Sequence, residues 1–290
     1  MESYFKSEEG REQIISLYDR KLQDLNISSE YITVKTSFGE TNIIATGNSA
    51  NPPMIIVHGS NGCAPISLET YPSLSKDFRV YAVDVLSQPN KSAGTRLSMK
   101  DKSYGQWMNE VFDKLELDNV EMVGFSFGGL VILKTLEFDE RRVKQVYLSA
   151  PAYIVNGNPI KAIFKMFIPM KRYMKTEKME YLEKFLSEVF TERDPFAISF
   201  LSKVFLHFEM DFSPVPTISK KAAALITTPI TLFAAGKDVI FPGSKMIKRA
   251  KKIFPSLASS TLCENSRHVL GTKENRAIEA VILKHKAGSA

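Results

Sequence analysis

Apolar and polar positions change period along the chain in a regular way. Ile14, Leu17, Tyr18, Leu22 and Leu25 recur at helical spacing, so the N-terminal segment reads as an amphipathic helix packed on the body of the protein. Two β-rich runs, 31–36 and 41–46, flank Ser37-Phe38-Gly39 and predict a hairpin at a sheet edge. Short apolar runs then follow at 54–57, 80–83, 120–123 and 143–148, ending in His58-Gly59-Ser60-Asn61-Gly62, Asp84, Gly124 and Ser149-Ala150-Pro151. Helical patterns separate them: one around Leu68, Tyr71 and Leu74, one with Trp107, Met108, Val111 and Leu115, and one starting near Phe127. Alternating strand and helix means a mostly parallel sheet with helices on both faces. Ligand sites in such open sheets gather at the carboxyl ends of the strands, where all these loops fall.

From 152 to 226 the alternation stops and the chain becomes rich in Lys, Met and Phe, which predicts a helical insertion. Alternation resumes with a strand at 230–234, a helix around Met246 and Ile247, a strand at 260–263 and a helix from about Lys273. The expected organisation is therefore an α/β core of residues 1–151 and 227–290, interrupted by a helical insertion at 152–226.

Composition narrows the function classes. A chain of 290 residues, 44% hydrophobic, can bury a substantial core. Cys63 and Cys263 are its only cysteines, too few for a disulfide framework and without zinc-site spacing. Residues 1–20 mix charged and apolar side chains and lack the unbroken apolar run of a signal peptide, so a reducing cytoplasmic setting is the expectation. The net charge of +6 comes from scattered lysines with no nucleic-acid motif, which reads as a solvated surface and excludes a nucleic-acid partner. The basic, aromatic stretch 161–175 reads as a solvated face of the insertion in preference to a membrane contact.

The sharpest chemical signal is Gly124-Phe125-Ser126-Phe127-Gly128, a G-x-S-x-G placed after an apolar strand and before a helix. Such a turn strains the serine backbone and needs glycines where a Cβ would collide with strand or helix. A nucleotide-binding loop would add a phosphate-binding Lys or a G-x-G-x-x-G, and neither is there. Ser126 is thus the candidate nucleophile. A serine hydroxyl needs a base to take its proton and a carboxylate to fix that base's tautomer. Of four histidines, His58 precedes a glycine turn, His207 lies in the insertion and His285 sits in a Lys-flanked terminal helix. His268, in the loop after the last strand, is the candidate base. Asp238, just beyond the strand at 230–234, is the candidate acid, ahead of Glu264 and Asp211, and completes the order Ser, Asp, His. The expected oxyanion donors are the backbone N–H groups of Phe127 and Ser60, with Asn61 the alternative to Ser60. His58 is expected to be a structural hydrogen-bonding residue.

With H-G at 58–59, G-F-S-F-G-G at 124–129, G-K-D at 236–238 and R-H at 267–268, the chain resembles the α/β-hydrolase superfamily over nearly its whole length. The N-terminal helix with Tyr18-Asp19, the hairpin and Tyr81-Ala82-Val83-Asp84 look like a bacterial carboxylesterase-like group. That resemblance implies a serine hydrolase acting on a small-molecule ester with a small-to-medium hydrophobic acyl group, no cofactor, and a helical lid. The stretch after Asp84 departs from the superfamily's glycine-rich turn and keeps only a Pro and Ser92. Amide, thioester and C–C bond hydrolases, acyltransferases and perhydrolases use the same triad with different pockets. A non-catalytic ligand-binding module on the same scaffold is a further alternative, and the presence of all three triad residues counts against it.

Overall fold

The computed structural model describes residues 4–288; the outermost residues of the expected core, 1–3 and 289–290, lie outside the described residues. The chain runs α1 (Glu8–Asp24), β1 (Ser29–Thr36), β2 (Gly39–Thr46), β3 (Pro53–Val57), α2 (Ala64–Thr70), α3 (Leu74–Asp77), β4 (Arg79–Val83), α4 (Ser103–Lys114), β5 (Val120–Phe125), α5 (Phe127–Phe138) and β6 (Val143–Ser149). There follow α6 (Pro159–Ala162), a π-helical turn (Ile163–Phe167), α7 (Ile168–Thr176), α8 (Met179–Val189), α9 (Pro195–His207) and α10 (Lys220–Ala223). The chain closes with β7 (Ile230–Ala235), α11 (Gly243–Ile253), β8 (Leu257–Cys263) and α12 (Thr272–Ala287).

The eight strands form one sheet in the order β1-β2-β4-β3-β5-β6-β7-β8. Only the β1/β2 and β2/β4 pairs are antiparallel; every later pair is parallel. This is the α/β architecture that the alternation of runs implied, with the hairpin at one edge. Each central strand is buried on both faces, and its side chains divide between two apolar layers: Ile55 and Val57 pack with α4 and α5, Met54 and Ile56 with α1, α2 and α12. Trp107 of α4 is fully buried, and its indole N–H finds Thr41 Oγ1 of β2 at 2.8 Å.

Local chemistry explains the helix ends. Ser7 accepts from the Gly10 N–H to start α1, with Glu8 and Glu9 in its first turn. Asp194 accepts from the Phe196 and Ala197 N–H groups to start α9, with Pro195 at the first position. The single helical pattern expected around Leu68, Tyr71 and Leu74 is two helices, α2 and α3. Pro72 keeps Tyr71 out of the helical region (φ −132°, ψ 62°), which breaks the run.

The stretch 152–226 holds α6 to α10 and the π-helical turn. Its ends belong to the body: Tyr153, Ile154 and Val155, and later Ile218, Ala223 and Ile226, are buried in the α4/α5 layer. Its middle shares the other layer through Leu182, Phe200, Val204 and Phe205, which pack with Ile14 and Tyr18 of α1. Some of its aromatics are not core: Phe164 (65% exposed) and Phe212 (49%) face outward. Among the described residues, no helix is long and apolar enough to cross a membrane.

Candidate active site

β5 delivers Ser126 to the carboxyl edge of the sheet, and α5 begins one residue later. Ser126 sits at φ 52°, ψ −114°, a backbone region that L residues rarely occupy. Its neighbours over-determine that conformation: its N–H donates to Ser149 O at 2.9 Å, and its carbonyl accepts from Gly129 and Ala152 N–H, each at 2.9 Å. Gly128 allows the close approach of α5 to β3, since a Cβ there would lie 2.1 Å from Val57 O. Gly59 does the same on the opposite wall, where a Cβ would meet the Phe125 ring at 2.8 Å and Ser126 Cβ at 3.4 Å.

Three loops bring the candidate residues together. His268, in the loop after β8, has Nε2 at 2.8 Å from Ser126 Oγ and Nδ1 at 2.7 Å from Asp238 Oδ2. Asp238, past β7, uses its other oxygen to accept from Ile240 N–H at 2.7 Å and Phe241 N–H at 3.0 Å. Burial works to raise its pKa. The neighbouring imidazole and the two N–H donors outweigh burial and hold the carboxyl below its usual value. With the carboxylate ionised, Nδ1 of His268 carries the proton that bonds to it, and Nε2 presents a lone pair to the serine hydroxyl. The imidazole packs against Phe125 (centroids 5.1 Å apart) and Phe241 (5.4 Å). Ser126, His268 and Asp238 are each 5% exposed, so the dyad and its carboxylate are shielded from bulk water.

Phe127 N–H, at the first turn of α5, makes no hydrogen bond to a protein acceptor among the described residues, and neither does Ser60 N–H in the loop beside it. Asn61 N–H, the alternative to Ser60, is taken by Gln88 Oε1 at 2.7 Å. The departing stretch after Asp84 therefore has a part in shaping this loop. Glu264 and Asp211 take no part in the triad contacts; Asp211 instead lies 3.9 Å from Arg96.

His58 is buried behind the same loop. Its Nδ1–H donates to Gly59 O at 2.7 Å, and Nε2 accepts from Val85 N–H at 3.0 Å. Burial pushes its pKa down to about 4, against the pull of the Gly59 carbonyl, so the ring stays neutral near pH 7.

A polar cluster that the reading of the sequence did not single out stands one layer further in. Asp84, fully buried at the end of β4, accepts from Ala64 N–H at 2.7 Å and from Asn42 Nδ2 at 2.8 Å. Asn42 also donates to Tyr18 OH at 3.0 Å. Burial raises the Asp84 pKa to about 6, although the Ala64, Asn42, Tyr18 and Lys91 donors pull the other way. Asp84 therefore pins the start of α2, immediately after the Ser60 loop. The one signal in the sequence was an acidic residue ending a buried strand, with Tyr18 at a core position of the first helix.

Sheet order, the strained serine between β5 and α5, and a histidine and an aspartate from the last two strand ends are the arrangement of the α/β-hydrolase fold. The family model described as the alpha/beta hydrolase fold matches residues 52–173. The chain has the α/β-hydrolase fold, and it is similar to carboxylesterases. It is 32% identical to the carboxylesterase YbfK of Bacillus subtilis over 148 residues; that match spans 51% of this chain and half of the relative's length. Over 282 residues it is 22% identical to the uncharacterized carboxylesterase nap of the same organism, covering 92% of this chain and 90% of the relative. The crystal structure of naproxen esterase from Bacillus subtilis superposes with a TM-score of 0.81 at 22% identity, over 94% of this chain and 96% of that one.

Proposed function

We propose that this protein is a serine carboxylesterase in which Ser126, His268 and Asp238 form the catalytic triad. The observation that carries the reading is a continuous chain of short hydrogen bonds, Asp238 Oδ2 to His268 Nδ1 (2.7 Å) and His268 Nε2 to Ser126 Oγ (2.8 Å), ending on a serine held at positive φ. Relatives described as carboxylesterases support the ester as the bond cleaved.

The reaction proceeds in two halves. Ser126 Oγ attacks the ester carbonyl carbon as its proton passes to His268 Nε2, and the carbonyl oxygen takes up the electron pair as an oxyanion. The N–H groups of Phe127 and Ser60 receive that oxyanion. The intermediate collapses by expelling the alkoxide, which takes the proton from His268 and leaves as the alcohol. Water then attacks the acyl-Ser126 carbonyl, giving its proton to His268; collapse releases the carboxylic acid and returns the proton to Ser126. Asp238 remains a carboxylate throughout and stabilises the transient imidazolium.

The insertion at 152–226 serves as the lid, and the near-complete burial of Ser126 and His268 supports an opening movement that admits substrate. Phe125, Phe127 and Phe241 around the triad favour a small-to-medium hydrophobic acyl group. A fluorophosphonate should form one adduct, on Ser126 by peptide mass spectrometry, and Ser126→Ala should neither label nor turn over p-nitrophenyl esters. An adduct on another residue, or an active Ser126→Ala, would overturn the triad. A series of acyl-chain lengths then bounds the pocket, and amide and thioester analogues test the choice of bond.

A further inference from the structure

The two residues on either side of His268, Arg267 and Val269, are gripped by a side chain from outside the sheet and its loops. Thr191 lies between α8 and α9, in the insertion. Its Oγ1 accepts from Arg267 N–H at 2.9 Å and donates to Val269 O at 2.7 Å. The backbone there runs as a short parallel bridge, Phe190 beside Val269. Val269 N–H donates to Val189 O at 2.8 Å, and Thr191 N–H to Val269 O at 3.0 Å. Carboxylates close the joint at both ends. Glu188 Oε2 meets Arg267 Nη1 at 3.3 Å and Lys165 Nζ, from the π-helical turn, at 2.9 Å. Glu192 accepts from the Thr272 hydroxyl at 2.8 Å and its N–H at 3.1 Å, at the head of α12.

The body holds the same loop more sparsely. Lys237 N–H bonds Ser266 O, and the imidazole bonds Asp238. Neither holds the main chain of the residues on both sides of His268, and that main chain sets where Nε2 points. A displacement on the order of 1 Å at such a group costs roughly a hundredfold in rate.

We propose that Thr191 is a positioning residue for His268, through which the lid sets the aim of the general base. This rests on the reading of Ser126 and His268 as nucleophile and base. Thr191 touches neither substrate nor reacting atoms; it acts by fixing the peptide groups of Arg267 and Val269. Glu188 extends the joint to the lid's π-helical turn, so that a shift of this turn reaches the catalytic loop.

The test compares Thr191→Val, which keeps the shape and removes both Oγ1 bonds, with Thr191→Ser, which keeps the hydroxyl. Steady-state kinetics on a short-chain p-nitrophenyl ester, the rate of fluorophosphonate labelling and the thermal midpoint are measured for each. Thr191→Val should lower kcat by roughly ten- to a hundredfold with KM nearly unchanged, and should slow labelling of Ser126 by a similar factor. Thr191→Ser should recover kcat to within about threefold of wild type. A folded Thr191→Val with wild-type kcat, or a Thr191→Ser as impaired as the valine variant, would overturn the role. If Thr191→Val does not fold, Glu188→Gln decides: a kcat loss of about threefold or more at unchanged KM supports the joint, and wild-type kcat overturns it. Failure of the triad itself shows separately, as an active Ser126→Ala.

Discussion

Single residues in this protein carry opposite electrostatic assignments within one site. Asp238 and Asp84 are both buried carboxylates, but Asp238 faces an imidazole and two N–H groups and is held below its usual pKa, while Asp84 is raised to about 6 by burial. The difference lies in partners: the imidazole of His268 stands next to Asp238, whereas Asp84 has only neutral donors in direct contact. Asp238→Asn should retain the fold, because an amide oxygen can still accept from Ile240 and Phe241 N–H. It should lose kcat by about 10³- to 10⁴-fold, because the amide no longer holds the productive tautomer of His268. Ester kinetics alongside a thermal melt check this; an active asparagine variant would remove Asp238 from the triad.

At the scale of elements, the site is a matter of close backbone approach. α5 can start beside β3 only because Gly128 has no side chain to meet Val57 O and His58 O. The atoms in the way are backbone, so they cannot rotate aside as a side chain would. Gly128→Ala should therefore destabilise by roughly 1–3 kcal/mol, in the range of overpacked cores. It should also abolish fluorophosphonate labelling under conditions where the variant is still folded, because Ser126 and α5 must shift together. Circular dichroism in denaturant and the labelling assay read the two effects; a variant that labels normally would show that the turn tolerates a wider spacing. The helical insertion behaves differently. Its apolar residues join two packing layers of the body, and one short link, 188–192, supplies the joint to the histidine loop.

For the whole molecule, pH acts on stability through Asp84. Its folded pKa of about 6 exceeds the ordinary value of 3.8, so between these pH values the native state holds more protons than the unfolded chain. Stability from this group is thus greatest below about pH 4 and is lost as pH rises to 6, an effect on the order of 3 kcal/mol. Asp238 has the opposite sign and loses its contribution only as pH falls below the usual carboxylate range. Denaturant midpoints of wild type and Asp84→Asn, compared at pH 4.5 and pH 7, should show wild type losing ground relative to the variant at the higher pH. A gap that does not change with pH would mean that Asp84 titrates normally. The sheet, its edge hairpin and the loops that bear Ser126, His268 and Asp238 were legible from the sequence, because strand period, turn glycines and strand order are local or nearly local properties. The break at Pro72 was equally local and was read past, since apolar spacing continued through it. Tertiary structure alone decided which donors remain free beside Ser126, because Gln88 captures Asn61 N–H from 27 residues away. It alone decided that Tyr18, Asn42 and Asp84 share one buried cluster and that Thr191 grips the histidine loop across 76 and 78 residues. Hydrogen bonds of that range depend on how layers pack, and packing leaves no periodic mark on the chain.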